Sequence, residues 1–162
     1  ETVNKDTHSG NISAAYSFCA QAVEVEVDLD TGAVNLVQFV AAHDVGYPIC
    51  PTGVEGQIEG GVMQGIGYGL MEEMLFDAES GQLQNGTLAD YKLPTTLDVP
   101  PIENVIVITR DGEGPFGAKG FAETTITPTA AAIANAIYDA VGIRMNCAPM
   151  TPGAILESLG TV

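Results

Sequence analysis

The residues most able to do chemistry lie in two glycine-rich stretches. The first, Gly117-Ala118-Lys119-Gly120-Phe121-Ala122-Glu123, puts one carboxylate at the end of a small, apolar run. Such surroundings can hold a carboxylate against a ligand and raise its pKa by desolvation, which suits a general base. On local chemistry alone, a solvated loop glutamate is the readier reading of Glu123. Just upstream, Gly112-Glu113-Gly114-Pro115-Phe116-Gly117 has the form G-x-G-x-x-G and follows a predicted strand. A dinucleotide site needs a helix to begin at that loop, with its N-terminus toward the pyrophosphate. Here the next helix signal is Thr127-Pro128, and Pro115 removes an amide from the loop. Ala118 stands where a phosphate loop needs lysine. A dinucleotide-binding module is therefore the weakest of the readings.

The second stretch runs from Val54 to Leu70. Val54, Ile58, Val62, Ile66, Leu70 and Met74 recur every four residues, a helical stripe, although its beginning can equally remain loop. Gly56 and Gly60 lie one turn apart, as do Gly61, Gly65 and Gly69. A glycine inside a helix costs about 1 kcal/mol relative to alanine. So many of them mark a bare ridge approached by a backbone, by a cofactor, or simply by a tightly packed neighbour.

The elements that must position these residues form an α+β mixture, a mixed sheet with helices packed on it. Tyr16 to Asp28 alternates valines with acids, a half-buried strand, and Asp30-Thr31-Gly32 turns it into a second strand over Ala33 to Ala42. Gln82 to Lys92 has the mixture of a short strand, Leu93 to Pro101 is loop, and Val105 to Thr109 reads as the clearest buried strand. Thr127-Pro128 predicts a hydroxyl N-cap with proline in the first turn, for a helix closed by Gly142. Thr151-Pro152 repeats the signal for a last helix ending near Leu159. Residues 1–162 are expected to form one domain or two small lobes, any division falling near 90–104.

With 162 residues and 46% hydrophobic content, a real core is expected. Against 21 acidic residues stand 5 basic ones, a formal charge of -16, so nucleic acid and anionic membranes are not expected partners. Cys19, Cys50 and Cys147 are odd in number and far apart, which argues against an iron–sulfur cluster, a zinc ribbon or a disulfide framework. They are expected to be buried free thiols in a reducing, cytoplasmic setting. The N-terminus has no signal-peptide pattern and begins without methionine, as a processed chain or a piece of a larger one would.

Four motifs in register carry a resemblance: Val40 to Gly46 with its His43-Asp44 pair, Val54 to Gly67, Ala89-Asp90-Tyr91, and Gly117 to Glu123. Together they resemble the xanthine dehydrogenase/aldehyde oxidase family of molybdenum hydroxylases, specifically the C-terminal part of the molybdopterin-binding subunit. The resemblance implies the fold of the C-terminal lobe of the molybdenum-cofactor-binding domain. It implies hydroxylation of a C–H in a purine-like N-heterocycle or an aldehyde, with water as oxygen source and Glu123 as general base. Gln57 matches the glutamine that hydrogen-bonds molybdopterin, with Lys119, Gly120, Phe121 and Ala122 lining the same pocket and no residue of this chain ligating a metal. Ala122 and Thr124 depart from the glycine and proline that usually flank the catalytic glutamate. His43 and Asp44 fit pocket framework better than catalysis, and Gln64 is open between the two.

The resemblance further implies molybdopterin, with a cytosine dinucleotide form among the alternatives. Iron–sulfur and flavin (FAD) modules are then expected on partner domains or subunits, together with the remainder of the molybdenum-binding subunit and a small-molecule substrate. A non-catalytic assembly module of such a complex is the competing reading.

Overall fold

The structure, a computed structural model, describes residues 2–4, 6, 7, 9–11, 13 and 15–161. Strands β1 (Thr2–Asn4) and β2 (Ser9–Asn11) form a small antiparallel pair. The main sheet has the order β3-β4-β5. β3 (Cys19–Val27) and β4 (Val34–Asp44) are antiparallel, registered from Cys19↔His43 to Val27↔Val34 with a bulge between Glu24 and Val25. Asp28 Oδ1 closes the turn by accepting from the Asp30 amide at 2.9 Å and the Thr31 amide at 3.1 Å.

β5 (Ile102–Val107) runs parallel to β4, Phe39↔Ile102 through Asp44↔Val107, which makes the sheet mixed. It begins three residues before the predicted strand, because the ladder starts where the Phe39 amide reaches Pro101 O at 2.9 Å. Nor is it fully buried. Val105 and Val107 point outward at 38% and 40% exposure, as an edge strand covered on one face requires.

Helix α1 (Pro51–Leu70) buries Val54, Ile58, Val62, Ile66 and Leu70 along one side. It includes the start that sequence left open between helix and loop. Met74 falls outside: the Met71 and Glu72 amides both turn back to Gly67 O, ending the helix, and Met74 lies 57% exposed. No strand forms over residues 82–92. Apart from one bridge, Phe76↔Leu83, side chains take the place of a ladder partner there. Asn85 accepts from the Leu75 amide at 2.9 Å and donates to Glu73 O at 2.6 Å, while the Tyr91 hydroxyl donates to Glu72 Oε2 at 2.7 Å.

Helix α2 (Thr129–Val141) packs against β3 and α1 and ends at Gly142 in a left-handed conformation. Its start differs from the prediction: Thr127 donates its hydroxyl back to Glu123 O at 3.1 Å instead of accepting an amide. Helix α3 (Pro152–Leu159) does have its hydroxyl cap, Thr151 accepting from the Ala154 amide. The core between sheet and helices centres on Phe39, Ile58, Ile66, Ile133, Ile137 and Ile155. The three thiols are free, but Cys50 and Cys147 are exposed and Cys19 half-buried, so the expectation of buried thiols is corrected. Cys50 stands just ahead of α1 and Cys147 in the loop after α2, both outside the packed layers. Among the described residues, no helix is long and apolar enough to cross a membrane.

Candidate cofactor site

The Gly117–Glu123 segment is strapped to the end of β4. Ala118 bridges Gly46, the Tyr47 amide donates to Gly117 O at 2.7 Å, and the Lys119 amide donates to Val45 O at 3.0 Å. Gly46 sits at φ +65°, and a Cβ there would run into Gly117 O, so this position needs glycine twice over. Lys119 Nζ lies 2.7 Å from Asp44 Oδ2 and 3.0 Å from Tyr16 O, with the two charged side chains only 9% and 7% exposed. Asp44 Oδ1 also accepts from the Gly46 amide at 3.0 Å and from the Thr109 hydroxyl. Burial pushes the Asp44 carboxyl up, but the hydrogen bonds from Lys119, Thr109 and Gly46 together outweigh it and hold its pKa below the ordinary value. The Lys119 ammonium is thus turned inward, a fastening for the loop.

From Phe121 onward the chain winds into tight turns, including a 3-10 turn at Glu123–Thr125. The carbonyls of Phe121, Ala122 and Glu123 accept from the amides three residues later, and each also takes a threonine hydroxyl, from Thr124, Thr125 and Thr127. Three threonines in four positions therefore fix the backbone that carries Glu123. Its carboxylate is exposed and makes no hydrogen bond or ion pair among the described residues.

The underside of the turn rests on α1. A Cβ on Gly61 would collide with Thr125, and one on Gly65 with Thr129. So the Gly61, Gly65, Gly69 ridge is a packing surface. Gly56 and Gly60 differ, with nothing within 4 Å of where a Cβ would stand. Gly60 and Gly61 floor an open groove of about 730 Å³, with Gln57 and Gln64 on the α1 side and Ala122, Glu123, Ile126 and Thr127 on the other. A second cavity of about 330 Å³ adjoins it, lined by Gln57, Lys119, Phe121 and Ala122 with Val45, Tyr47, Ile49 and Cys50.

Gln57 and Ala122 belong to both openings, so five of the six residues singled out from sequence converge here. Gly120 does not line either one; its carbonyl accepts from the Ser17 hydroxyl, beside the strap. No helix begins at Gly112–Gly117, where Pro115–Gly117 makes one 3-10 turn with Phe116 at φ 57°. The arrangement of a dinucleotide fingerprint is absent.

Sequence reasoning singled out His43 but passed over Gln21, with which it forms a buried polar cluster beneath the turn. Gln21 on β3 donates from Nε2 to Thr125 O at 2.7 Å and accepts at Oε1 from Thr129 Oγ1 at 2.8 Å. The same Nε2 lies 3.3 Å from His43 Nε2. His43 is fully buried, its Nδ1 has no partner, and burial lowers its pKa below the ordinary imidazole value. The available signal was Gln21 itself, a polar residue on the inward face that Val23, Val25 and Val27 otherwise occupy.

Residues 2–100 match the family described as the molybdopterin cofactor-binding domain. The chain belongs to that family. As a molybdopterin cofactor-binding domain it is 38% identical over 141 residues to the putative xanthine dehydrogenase molybdenum-binding subunit of Escherichia coli (strain K12), covering 87% of this chain and 19% of that one. Among solved structures it is similar to quinoline 2-oxidoreductase from Pseudomonas putida 86, with TM-score 0.79 and 40% identity over 84% of this chain and 18% of that one. The aldehyde oxidoreductase of Desulfovibrio desulfuricans is similar at TM-score 0.82 and 35% identity, over 90% and 16%. The chain thus spans about a fifth of the length of these relatives.

The residues present suit an organic cofactor. Gln57 offers an exposed carboxamide, both donor and acceptor, with no partner among the described residues, beside a glycine floor that a Cβ would partly fill.

Proposed function

We propose that this domain supplies the general base and one cofactor contact of a molybdenum hydroxylase acting on an N-heterocycle or an aldehyde. The observation that carries the reading is that Gln57 and Glu123, distant in sequence, line one groove from opposite sides. Gln57 would hold the molybdopterin cofactor through its carboxamide. Phe121 in the smaller cavity and Ala122, shared by both openings, present apolar surface that limits water at the site. When bound, the molybdenum cofactor supplies the oxidising centre and the water-derived oxygen. Glu123, whose exposed carboxylate has no partner among the described residues, would accept a proton there as the general base. Lys119 contributes through its backbone and stem, its charge being held by Asp44.

The rest of the molybdenum-binding subunit completes the pocket, and iron–sulfur and flavin modules on partner domains or subunits carry the electrons away. The name of the Escherichia coli relative, a molybdenum-binding subunit, supports that division of labour. A cytosine dinucleotide form of the cofactor is one of the forms the groove would serve.

The experiment is Glu123→Gln in the complete enzyme. Turnover should fall by about 10²- to 10⁴-fold, the range ascribed to a positioned base, with molybdenum content unchanged. Turnover at the wild-type level overturns the assignment.

A further inference from the structure

We propose that Gln21 is the positioning residue of this site: from β3, beneath the sheet-facing side of the turn, it sets where the Glu123–Thr125 segment stands against α1. The inference rests on reading Glu123 as the base. Gln21 bonds the last residue of this segment and the first residue of α2 after it, donating to Thr125 O at 2.7 Å and accepting from Thr129 Oγ1 at 2.8 Å. Its orientation is forced. A carbonyl oxygen can only accept, so Nε2 must face Thr125 O, which leaves Oε1 for the hydroxyl. His43 Nε2, 3.3 Å from the same NH₂ group, then serves as an acceptor, and the buried ring completes the seat.

The geometry makes the Gln21 contact directional where the others are not. Thr125 and Thr129 rest on Gly61 and Gly65, and these contacts limit only how near the turn can come to α1. The threonine hydroxyls bond within the segment, so they stiffen it without tying it to the sheet. Gln21 ties it to β3, whose ladder with β4 also carries Asp44 and, through Lys119, the other end of the Gly117–Glu123 loop. Both sides of Glu123 are therefore referred to one rigid sheet, as a base needs whose reach must be correct to a fraction of an ångström.

Gln21→Met in the complete enzyme keeps the length of the side chain and removes the hydrogen bonds to Thr125, Thr129 and His43. Hydrogen exchange of peptides spanning residues 121–129 should become about tenfold faster, the effect of losing one or two neutral hydrogen bonds. Turnover should separate from binding: kcat falls by about tenfold to 10²-fold, the cost of a small misplacement, while KM stays near the wild-type value. Ile137→Val, in the core under the same sheet, serves as a control; it should lower Tm and leave kcat and exchange at 121–129 unchanged.

Unchanged exchange at 121–129 in Gln21→Met overturns the proposal, and so does faster exchange with unchanged kcat. A control that loses kcat in step with Tm also overturns it, since a general loss of stability would then account for the effect. Glu123→Gln is assayed in parallel: full turnover there removes the base itself, whereas the exchange result reports on Gln21 whichever way that variant behaves.

Discussion

Lys119 Nζ sits 2.7 Å from Asp44 Oδ2, joining the glycine-rich loop to the last residue of β4 through a pair of charges almost closed to water. Breaking such a pair from one side leaves a buried charge without its partner. Lys119→Met should therefore lower the stability of the subunit by about 3 kcal/mol, and Asp44→Asn by a similar amount. Their combination should cost clearly less than the sum. Denaturation midpoints of the singles and the double form the measurement, and strict additivity would remove the pair as a unit.

Acid should act on two buried groups in sequence. His43 has a folded-state pKa below its ordinary value, so the unfolded chain binds its proton first. Stability begins to fall once the pH drops under about 6.5, and that loss is complete below the folded-state pKa. Asp44, also lowered, contributes stability that is present above the ordinary carboxylate pKa and lost as the pH falls through its folded-state one. In a series of Tm values against pH, His43→Gln should flatten the upper part of the curve and Asp44→Asn the lower. A wild-type slope near pH 6 in His43→Gln would exclude that histidine as the source.

The glycines of α1 should fall into two classes. Gly61→Ala pushes a methyl group into Thr125 and should destabilise by about 1–3 kcal/mol, as overpacking does. Gly56→Ala meets open space in a helix interior and should stabilise by about 0.5–1 kcal/mol. Gly60→Ala is sterically as free in this chain, yet it floors the groove. It should hold or raise Tm in cofactor-free protein while reducing molybdenum retention. Equal retention by the Gly56 and Gly60 variants would take the cofactor away from that floor.

Gln57→Ala addresses the proposed pterin contact directly. With no partner among the described residues, the carboxamide can be removed at little cost to the fold. Cofactor release from the complete enzyme should quicken by about tenfold, as for one neutral hydrogen bond. Release at the wild-type rate would leave Gln57 as a surface residue.

Much of this was legible locally. Valine–acid alternation, the four-residue stripe of α1, the Thr151-Pro152 start and the Gly142 stop are short-range signals, and each corresponds to an element of the structure. The motifs around Gln57 and Glu123 were readable because they are contiguous, and they pointed to the molybdopterin cofactor-binding family to which the chain belongs. The parallel partner of β4, the start of β5 at Ile102 and the absence of a strand over 82–92 were not readable in this way. They depend on which distant backbone offers a hydrogen bond.

The amino-acid order by itself determined where a base could stand, which helix faces the core, and that glycines crowd one ridge. Only the tertiary structure decided which glycines pack and which stay open, since a missing Cβ has meaning only against a neighbour. It also turned the Lys119 charge inward to Asp44, and it set Gln21 beneath a turn far along the chain. Periodicity reports which way a side chain points, but its partner is chosen by the sheet and helices that fold over it.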